Sequence, residues 1–177
     1  MPRIHVCSLD RLHRTVAETG ARDVLTVIKN IGQVETPEGV EQMRHLKLEF
    51  ADIWRPTEGE VMANEAHIEE MLGFMTRWDR AAPMVIHCYA GVSRSTASAF
   101  IAACALRPET SEAEWAQRLR QVSPTATPNI HIVSLGDRLL GRRGRMIEAI
   151  ETIGRGEDCY EGVPFSLEIG PRAPLGG

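Results

Sequence analysis

The sequence predicts an α/β fold in which a small, mainly parallel central sheet is flanked by helices. Short apolar segments rich in β-branched residues alternate along the chain with segments of helical periodicity. One apolar strand ends at Cys88 and leads through a loop of small residues into an almost wholly apolar helix. Ligands of such sheets bind beyond the carboxyl ends of the strands, so the segment after this strand is the first place to look for a site.

Composition limits the classes of protein to consider. The 177 residues have a net charge of -4 and 43% hydrophobic side chains, which suits a globular core and shows no basic clustering typical of a nucleic-acid binder. The N-terminus is charged within three residues and has no long apolar run, so we expect no secretory signal, no membrane contact and a cytoplasmic location. The four cysteines form no CxxC pair, which argues against a zinc site or a disulfide framework.

The chain opens with a predicted β-α-β unit. Residues 3–9 and 23–29 are short, apolar and β-branched, as expected of buried strands. Between them, Leu12 and Val16 fall on one helical face, and Gly20 is suited to end that helix.

A third strand and a long helix are predicted next. Residues 44–50 alternate apolar and polar side chains, as a strand with one buried face does. Thr57 followed by Glu60 matches a capping box, so we expect a helix from Thr57 to about Arg80, with Val61 at the start of its apolar stripe.

The second half continues the alternation. Residues 84–88 form an apolar strand, and residues 95–106 form a helix that is small and apolar nearly all round and should be central. Ser111 opens another helix, and a final helical region is broken or kinked near Gly141 and Gly144.

We expect a single domain over residues 1–155. Prolines and glycines accumulate after this point, so residues 156–177 are predicted to form an irregular C-terminal tail.

The loop after the fourth predicted strand has the composition of an anion-binding cradle. Arg94 follows Cys88 by six positions, after small residues and at the start of the helix. Backbone N–H groups of such a loop converge on one oxyanion, the helix N-terminus adds positive potential, and an arginine offers two parallel donors. The same donors stabilise a thiolate. A cysteine at a strand end is ordinarily a small buried hydrophobe, but this arginine has no evident packing role, so we interpret Cys88 as a nucleophile and Arg94 as a phosphate clamp.

The segment HCYAGVSRS, residues 87–95, resembles the HCxxGxSRS form of the Cys-x5-Arg signature of protein tyrosine phosphatases, closest to the dual-specificity group and to small bacterial-type enzymes. The resemblance implies a phosphatase domain, a phosphocysteine intermediate at Cys88, and a Ser95 hydroxyl that assists cleavage of the thiol-phosphate. The resemblance also implies that His87 orders the loop. Ser95 has a second possible role as a helix N-cap, which is compatible with its catalytic role. The implied phosphate-binding residues are Tyr89, Ala90, Gly91, Val92, Ser93 and Arg94.

Asp52 is the predicted general acid. Expelling an alkoxide or phenoxide needs a proton donor, and Asp52 lies on the loop after the third strand, at the sheet end expected for Cys88 and where the family's acid loop lies. The rivals are Glu49, Glu58 and Glu60. Glu49 belongs to the strand pattern, and the other two fit a first helical turn, where acids are favoured by the helix dipole.

Three further residues have open assignments. Trp54 either lines the pocket or anchors the acid loop. Asn129 resembles the asparagine that follows a proline in many dual-specificity phosphatases, where it helps to hold the active-site loop, although a helix cap is a simpler explanation. Cys104 is expected in the core, with a redox partnership to Cys88 as the alternative.

The leading hypothesis is a phosphate monoester hydrolase, a protein-tyrosine or dual-specificity phosphatase that needs no metal or other cofactor because loop amides and Arg94 supply the positive charge. Its expected substrate is a phosphotyrosine-bearing protein or a small aryl phosphate, since the loop lacks the lysines of phosphoinositide phosphatases. One alternative is a phosphatase-like module that binds phosphorylated partners with weak or no turnover. A sulfur transferase of the rhodanese kind is disfavoured by the longer Cys-to-Arg loop and by Asp52.

Overall fold

A computed structural model describes residues 1–172 and has a five-stranded sheet at its centre. The strands are β1 (Arg3–Cys7), β2 (Asp23–Ile28), β3 (His45–Glu49), β4 (Met84–His87) and β5 (Phe165–Glu168). Their order across the sheet is β3-β2-β4-β1-β5. The first four strands are parallel to one another, and β5 is antiparallel to β1. The predicted α/β class with a mainly parallel sheet is confirmed.

Helices cover both faces of the sheet. They are α1 (Leu12–Thr19), α2 (Glu65–Arg77), α3 (Arg94–Leu106), α4 (Glu112–Val122), α5 (Ile130–Leu139) and α6 (Arg145–Ile153), with short 3-10 turns at Ile31–Gln33 and Gln42–Arg44. Helix α1 packs on one face, and the other five helices contribute to a larger core on the opposite face. Because both faces are covered, all six residues of β2 are buried. Among the helices of residues 1–172, none combines the length and the apolar character that crossing a membrane requires.

The carboxyl ends of the four parallel strands meet at one edge of the sheet. Strand β4 lies between β1 and β2, and its His87 is in register with Cys7 on one side and Thr26 on the other. The connection that leaves β1 forms α1 on one face of the sheet, and the connection that leaves β4 forms α3 on the other. The connections diverge between these two strands, which is where open α/β sheets bind ligands. Helix α3 begins just beyond this edge, and its side chains from Arg94 to Cys104 are all buried, as predicted for a central helix.

The predicted start of α2 at Thr57 is wrong. The helix begins eight positions later, where Asn64 and His67 cap each other: His67 N donates to Asn64 Oδ1 over 3.1 Å, and Asn64 N donates to His67 Nδ1 over 3.2 Å. The intervening segment is a loop closed by a 2.8 Å hydrogen bond from Ala51 N to Val61 O. This nonlocal bond holds the segment away from a helix, although its local pattern matches a capping box.

The predicted irregular tail over residues 156–177 contains a regular element, the edge strand β5. Phe165 and Leu167 are buried and alternate with more exposed residues, which is the period of a strand with one buried face. Pairing with β1 supplies hydrogen bonds that the composition of the segment does not indicate. Residues 173–177 of the predicted tail lie outside the described residues.

Candidate active site

Residues 88–93, here called the Cys88 loop, connect β4 to α3, and most of their carbonyl groups are bound from outside the loop. The bonds are His87 Nδ1 to Cys88 O (3.2 Å), Leu9 N to Tyr89 O (3.0 Å), Gly162 N to Ala90 O (2.9 Å), Thr127 N to Val92 O (2.9 Å) and Asn129 N to Ser93 O (3.3 Å). In a planar trans peptide the carbonyl and the following N–H point in opposite directions. The N–H groups that follow the bound carbonyls therefore point away from these outside partners, and Gly91 N, which donates to Cys88 Sγ over 3.3 Å, has this orientation.

Cys88 lies at the bottom of this loop. Its side chain is buried, and its Sγ lies 3.1 Å from Ser95 Oγ. The structure thus brings together the predicted nucleophile and the predicted helper hydroxyl. Ser95 is not the cap of α3, because the helix begins at Arg94 and Ser93 occupies the capping position without a side-chain cap bond. The hydroxyl of Ser95 faces the cysteine instead.

Gly91 allows the loop to pack against the end of β1. Its φ of +72° is a left-handed value, and a Cβ atom placed there would lie 2.8 Å from Cys7 C and 2.9 Å from Ser8 N. Both obstacles are backbone atoms, so a side chain at this position would displace the loop. On its other side the loop is held by Gly162, which belongs to the segment before β5 and whose contribution sequence reasoning missed.

Arg94 has a buried guanidinium with donor capacity to spare. The residue is 8% exposed, and its Nη1 donates to Phe50 O over 3.0 Å. Its Nε is buried and has no hydrogen-bond partner within residues 1–172. Leaving a buried charged donor unbonded is costly, so the site is suited to an anion that would accept from it.

Asp52 is held next to the Cys88 loop by two donors. Its Oδ1 accepts from Ser93 Oγ over 2.7 Å and from Asn129 Nδ2 over 2.8 Å. The Nδ2 of Asn129 also donates to Ile53 O over 3.1 Å, and its Oδ1 accepts from Ile132 N to cap α5. Asn129 therefore forms the expected helix cap and, in addition, ties the Asp52 loop to the Cys88 loop.

The other candidate residues of this region are placed differently. Trp54 is 67% exposed, so it does not anchor its loop by burial, and a role in lining the site stays a prediction. Among the rival acids, Glu60 forms an ion pair with Lys29 at 2.6 Å, and Glu49 ends β3 with an exposed side chain. Glu58 is exposed on the loop before α2.

His87 is buried beneath the loop. Besides its bond to the Cys88 carbonyl, its Nε2 lies 2.7 Å from Thr26 Oγ1. Burial is the main reason why the pKa of His87 falls to about 4. Sequence reasoning missed Thr26, although a hydroxyl between the apolar residues of a buried strand was a signal that a buried polar partner is needed.

The remaining cysteines lack the same surroundings. Cys7 and Cys104 are buried, and burial raises the pKa of each thiol to about 12, so both stay protonated near neutral pH. Cys159 is exposed. Residues 1–172 contain no group of three histidine, cysteine or acidic side chains arranged to hold a metal ion.

Solved structures with the same fold are known. Human DUSP28 superposes with a TM-score of 0.61 at 19% identity, over 79% of this chain and 89% of that one. DUSP15 gives 0.64 at 12% identity over 88% and 96%, and the human tyrosine phosphatase-like serine/threonine/tyrosine-interacting protein gives 0.60 at 14% identity over 79% and 92%. The sequence matches no protein-family model and no curated protein. The superpositions show that the chain has the cysteine-phosphatase fold of the dual-specificity phosphatases.

Proposed function

We propose that this chain is a phosphate monoester hydrolase, a protein-tyrosine or dual-specificity phosphatase that acts through a phosphocysteine intermediate. The observation that carries the proposal is the orientation of the Cys88 loop, whose carbonyls are bound from outside and whose Gly91 N–H donates to the thiol. Arg94, directly after the same loop, has a buried Nε without a partner among residues 1–172 and can supply a further charged donor. Such a set of donors binds a phosphoryl group in the ground state. Because the donors are already in place, they also stabilise the charge that develops in the transition state.

In the first step, Cys88 Sγ attacks phosphorus, the S–P bond forms and the P–O bond to the leaving group breaks. Asp52 gives its proton to the leaving oxygen, so that an alcohol or phenol departs. Two donors already bind Asp52 Oδ1, and the acidic proton is therefore carried by Oδ2.

In the second step, water attacks the phosphocysteine. The Asp52 carboxylate accepts a proton from this water, the new P–O bond forms and the S–P bond breaks. The hydroxyl of Ser95, 3.1 Å from Cys88 Sγ, donates to the departing sulfur. Inorganic phosphate and the resting thiolate result.

The surface around the loop supports an aryl phosphate as substrate. Trp54 on the acid loop is 67% exposed, and Tyr89 on the Cys88 loop is 66% exposed. Both aromatic side chains are therefore available to contact the phenyl ring of a substrate. The loop carries no lysine that would favour a polyphosphorylated lipid headgroup. The proposed substrates are phosphotyrosine-bearing proteins or small aryl phosphates, hydrolysed without a cofactor.

The fold by itself leaves catalysis open, because a phosphatase-like interacting protein shares it. The alternative is therefore a module that binds phosphorylated partners and does not turn them over. The placement of Cys88, Ser95 and Asp52 around one loop favours turnover.

Release of inorganic phosphate from p-nitrophenyl phosphate in the presence of EDTA tests the proposal. We expect hydrolysis by the wild type and none by Cys88→Ser, since a serine hydroxyl is not an anion near neutral pH. Cys159→Ser is the matched control and should retain activity, because this cysteine is exposed and is not one of the proposed catalytic or phosphate-binding residues. A wild type that binds phosphotyrosine peptides without releasing phosphate would favour the binding module, and sulfur transfer from thiosulfate to cyanide would favour a rhodanese-like enzyme.

A comparison of phosphotyrosine peptides, phosphoserine peptides and phosphoinositides at matched concentrations tests the substrate class. We expect the phosphotyrosine peptide to be hydrolysed fastest. A preference for the lipids would contradict the inference drawn from the loop and its aromatic neighbours.

A further inference from the structure

A row of hydrogen bonds leads across the sheet from its β3 edge to the Cys88 loop. Thr36 Oγ1 lies 2.9 Å from His45 Nδ1, and His45 Nε2 lies 2.8 Å from Thr26 Oγ1. Thr26 Oγ1 in turn lies 2.7 Å from His87 Nε2, and His87 Nδ1 lies 3.2 Å from the Cys88 carbonyl. Thr36, His45, Thr26 and His87 are here called the histidine relay. Its central members are on three adjacent strands, β3, β2 and β4.

The three members of the relay that lie on strands are shielded from water. Thr26 and His87 are 0% exposed and His45 is 8% exposed, so each polar atom depends on its neighbour in the relay. Burial lowers the pKa of His45 and of His87 to about 4. Lys47, His87 and His13 act in the same direction as burial on the pKa of His45. The hydrogen bond to the Cys88 carbonyl raises the pKa of His87, and His13 and Arg94 lower it, so the effect of burial prevails. Both rings are neutral at pH 7, and each has one donor and one acceptor nitrogen.

The Cys88 carbonyl sets the direction of the relay, because a carbonyl oxygen can only accept. His87 Nδ1 must then carry the hydrogen, and His87 Nε2 must accept from the Thr26 hydroxyl. The Thr26 oxygen accepts from His45 Nε2, and His45 Nδ1 accepts from Thr36. Every buried member is satisfied in this arrangement.

Reversing the donor and acceptor of each bond in the relay would leave two buried acceptors without a hydrogen between them. Thr36 has a second acceptor, Gln42 Oε1, at 3.1 Å, and donating to it would reverse each bond of the relay. His87 Nδ1 would then present a lone pair to the Cys88 carbonyl, and two acceptors would face each other in the core. In the first direction Gln42 loses this donor, but its side chain is exposed and water replaces it.

We propose that Thr26 and His45 are positioning residues for Cys88, acting through His87. The relay holds His87 in the tautomer that donates from Nδ1 and so keeps the Cys88 carbonyl turned away from the loop interior. The N–H of Tyr89, on the other side of the same planar peptide, then points inward and stabilises the thiolate and bound phosphate. The inference rests on the proposed function of the Cys88 loop.

Three variants test the relay by the rate at which iodoacetamide alkylates Cys88 at pH 6.5, followed by mass spectrometry of the Cys88 peptide. Thr26→Val keeps the shape but removes the hydroxyl, and we expect alkylation to slow by about tenfold, the equivalent of one hydrogen bond. Thr26→Ser restores the hydroxyl and should restore the rate. Thr15→Val is the matched control, because Thr15 is also buried but lies outside the relay.

A second test uses the wild-type protein alone and so does not depend on whether a variant folds. Imidazole ¹⁵N chemical shifts should show the hydrogen of His87 on Nδ1 and that of His45 on Nε2. Hydrogen on Nε2 of His87 in the wild type, or wild-type alkylation of Cys88 in folded Thr26→Val, would overturn the inference. Both measurements stay valid if the wild type releases no phosphate, so failure of the relay and failure of the proposed phosphatase activity are distinguishable.

Discussion

Asn129 Nδ2 donates a hydrogen bond to Asp52 Oδ1 across 2.8 Å, although 77 positions separate the two residues. Asn129 is 6% exposed and caps α5 at the same time, so the end of a packed helix positions an exposed loop. Ser93 Oγ binds the same carboxylate oxygen over 2.7 Å. The candidate acid is thereby tied to the Cys88 loop through Ser93 and to the start of α5 through Asn129.

Replacing Asn129 by serine should separate its two roles. Serine is a good helix cap but is too short to reach Asp52, so the melting temperature should change little. We expect kcat on an alkyl phosphate to fall about tenfold, because the acid loses one of the hydrogen bonds that orient it. Steady-state kinetics with thermal unfolding of the same preparation checks this, and an unchanged kcat would assign Asn129 to the cap alone.

Asp52→Ala should lower kcat by about two orders of magnitude and change KM little, because a general acid acts mainly in the transition state. The basic limb of the pH profile of kcat should flatten, since it reports loss of the acid's proton. A difluorinated aryl phosphate should be affected less than an alkyl phosphate, because a good leaving group needs little protonation. Equal losses on both substrates would contradict the assignment, and Glu49 and Glu58 would be tested next.

Gly91→Ala should disrupt the Cys88 loop. The new Cβ would meet the backbone of Cys7 at 2.8 Å in addition to the strain of a φ of +72°, and we expect a loss of a few kcal/mol in stability together with most of the activity. Gly141→Ala is the matched control, because Gly141 has a φ of +63° but no atom within 4 Å. It should cost about 1 kcal/mol and retain activity. Urea unfolding and phosphate release measure both variants, and equal effects would contradict the packing argument.

The free energy of unfolding should fall as the pH drops from about 6.5 toward 4. In the folded protein burial lowers the pKa of His45 and His87 to about 4, whereas an unfolded histidine titrates near 6.5. Within this window the unfolded chain binds more protons, which costs up to about 1.4 kcal/mol per pH unit for each histidine. His5 and His67, whose pKa values burial also lowers, act in the same direction.

Urea unfolding at pH 7, 6, 5 and 4.5 measures this dependence. His45→Gln should reduce the slope of the unfolding free energy against pH by the equivalent of about one proton. The reason is that the variant lacks one histidine that must stay neutral in the folded protein. The same slope in wild type and variant would show that His45 is not held neutral in the folded state.

The local features of this protein were accessible to sequence reasoning. The segment from His87 to Ser95 contains the strand end, the small-residue loop and the start of α3 within one short stretch, and neighbouring residues define such a pattern without knowledge of the fold. The apolar composition of α3 likewise indicated its central position, because a helix that is apolar nearly all round must be buried. Parallel strand ends share one edge, which placed Asp52 on the correct side of the sheet.

Long-range contacts were decided only by the tertiary structure. The bond between Asn129 and Asp52, the relay from His45 to His87 and the support of the Cys88 loop by Gly162 each join segments far apart in the chain. The misplaced start of α2 and the unforeseen strand β5 have the same origin. Sequence periodicity reports which face of an element is buried, whereas the partner of each polar group depends on strand order and on how the loops close, and these are settled when the whole core packs.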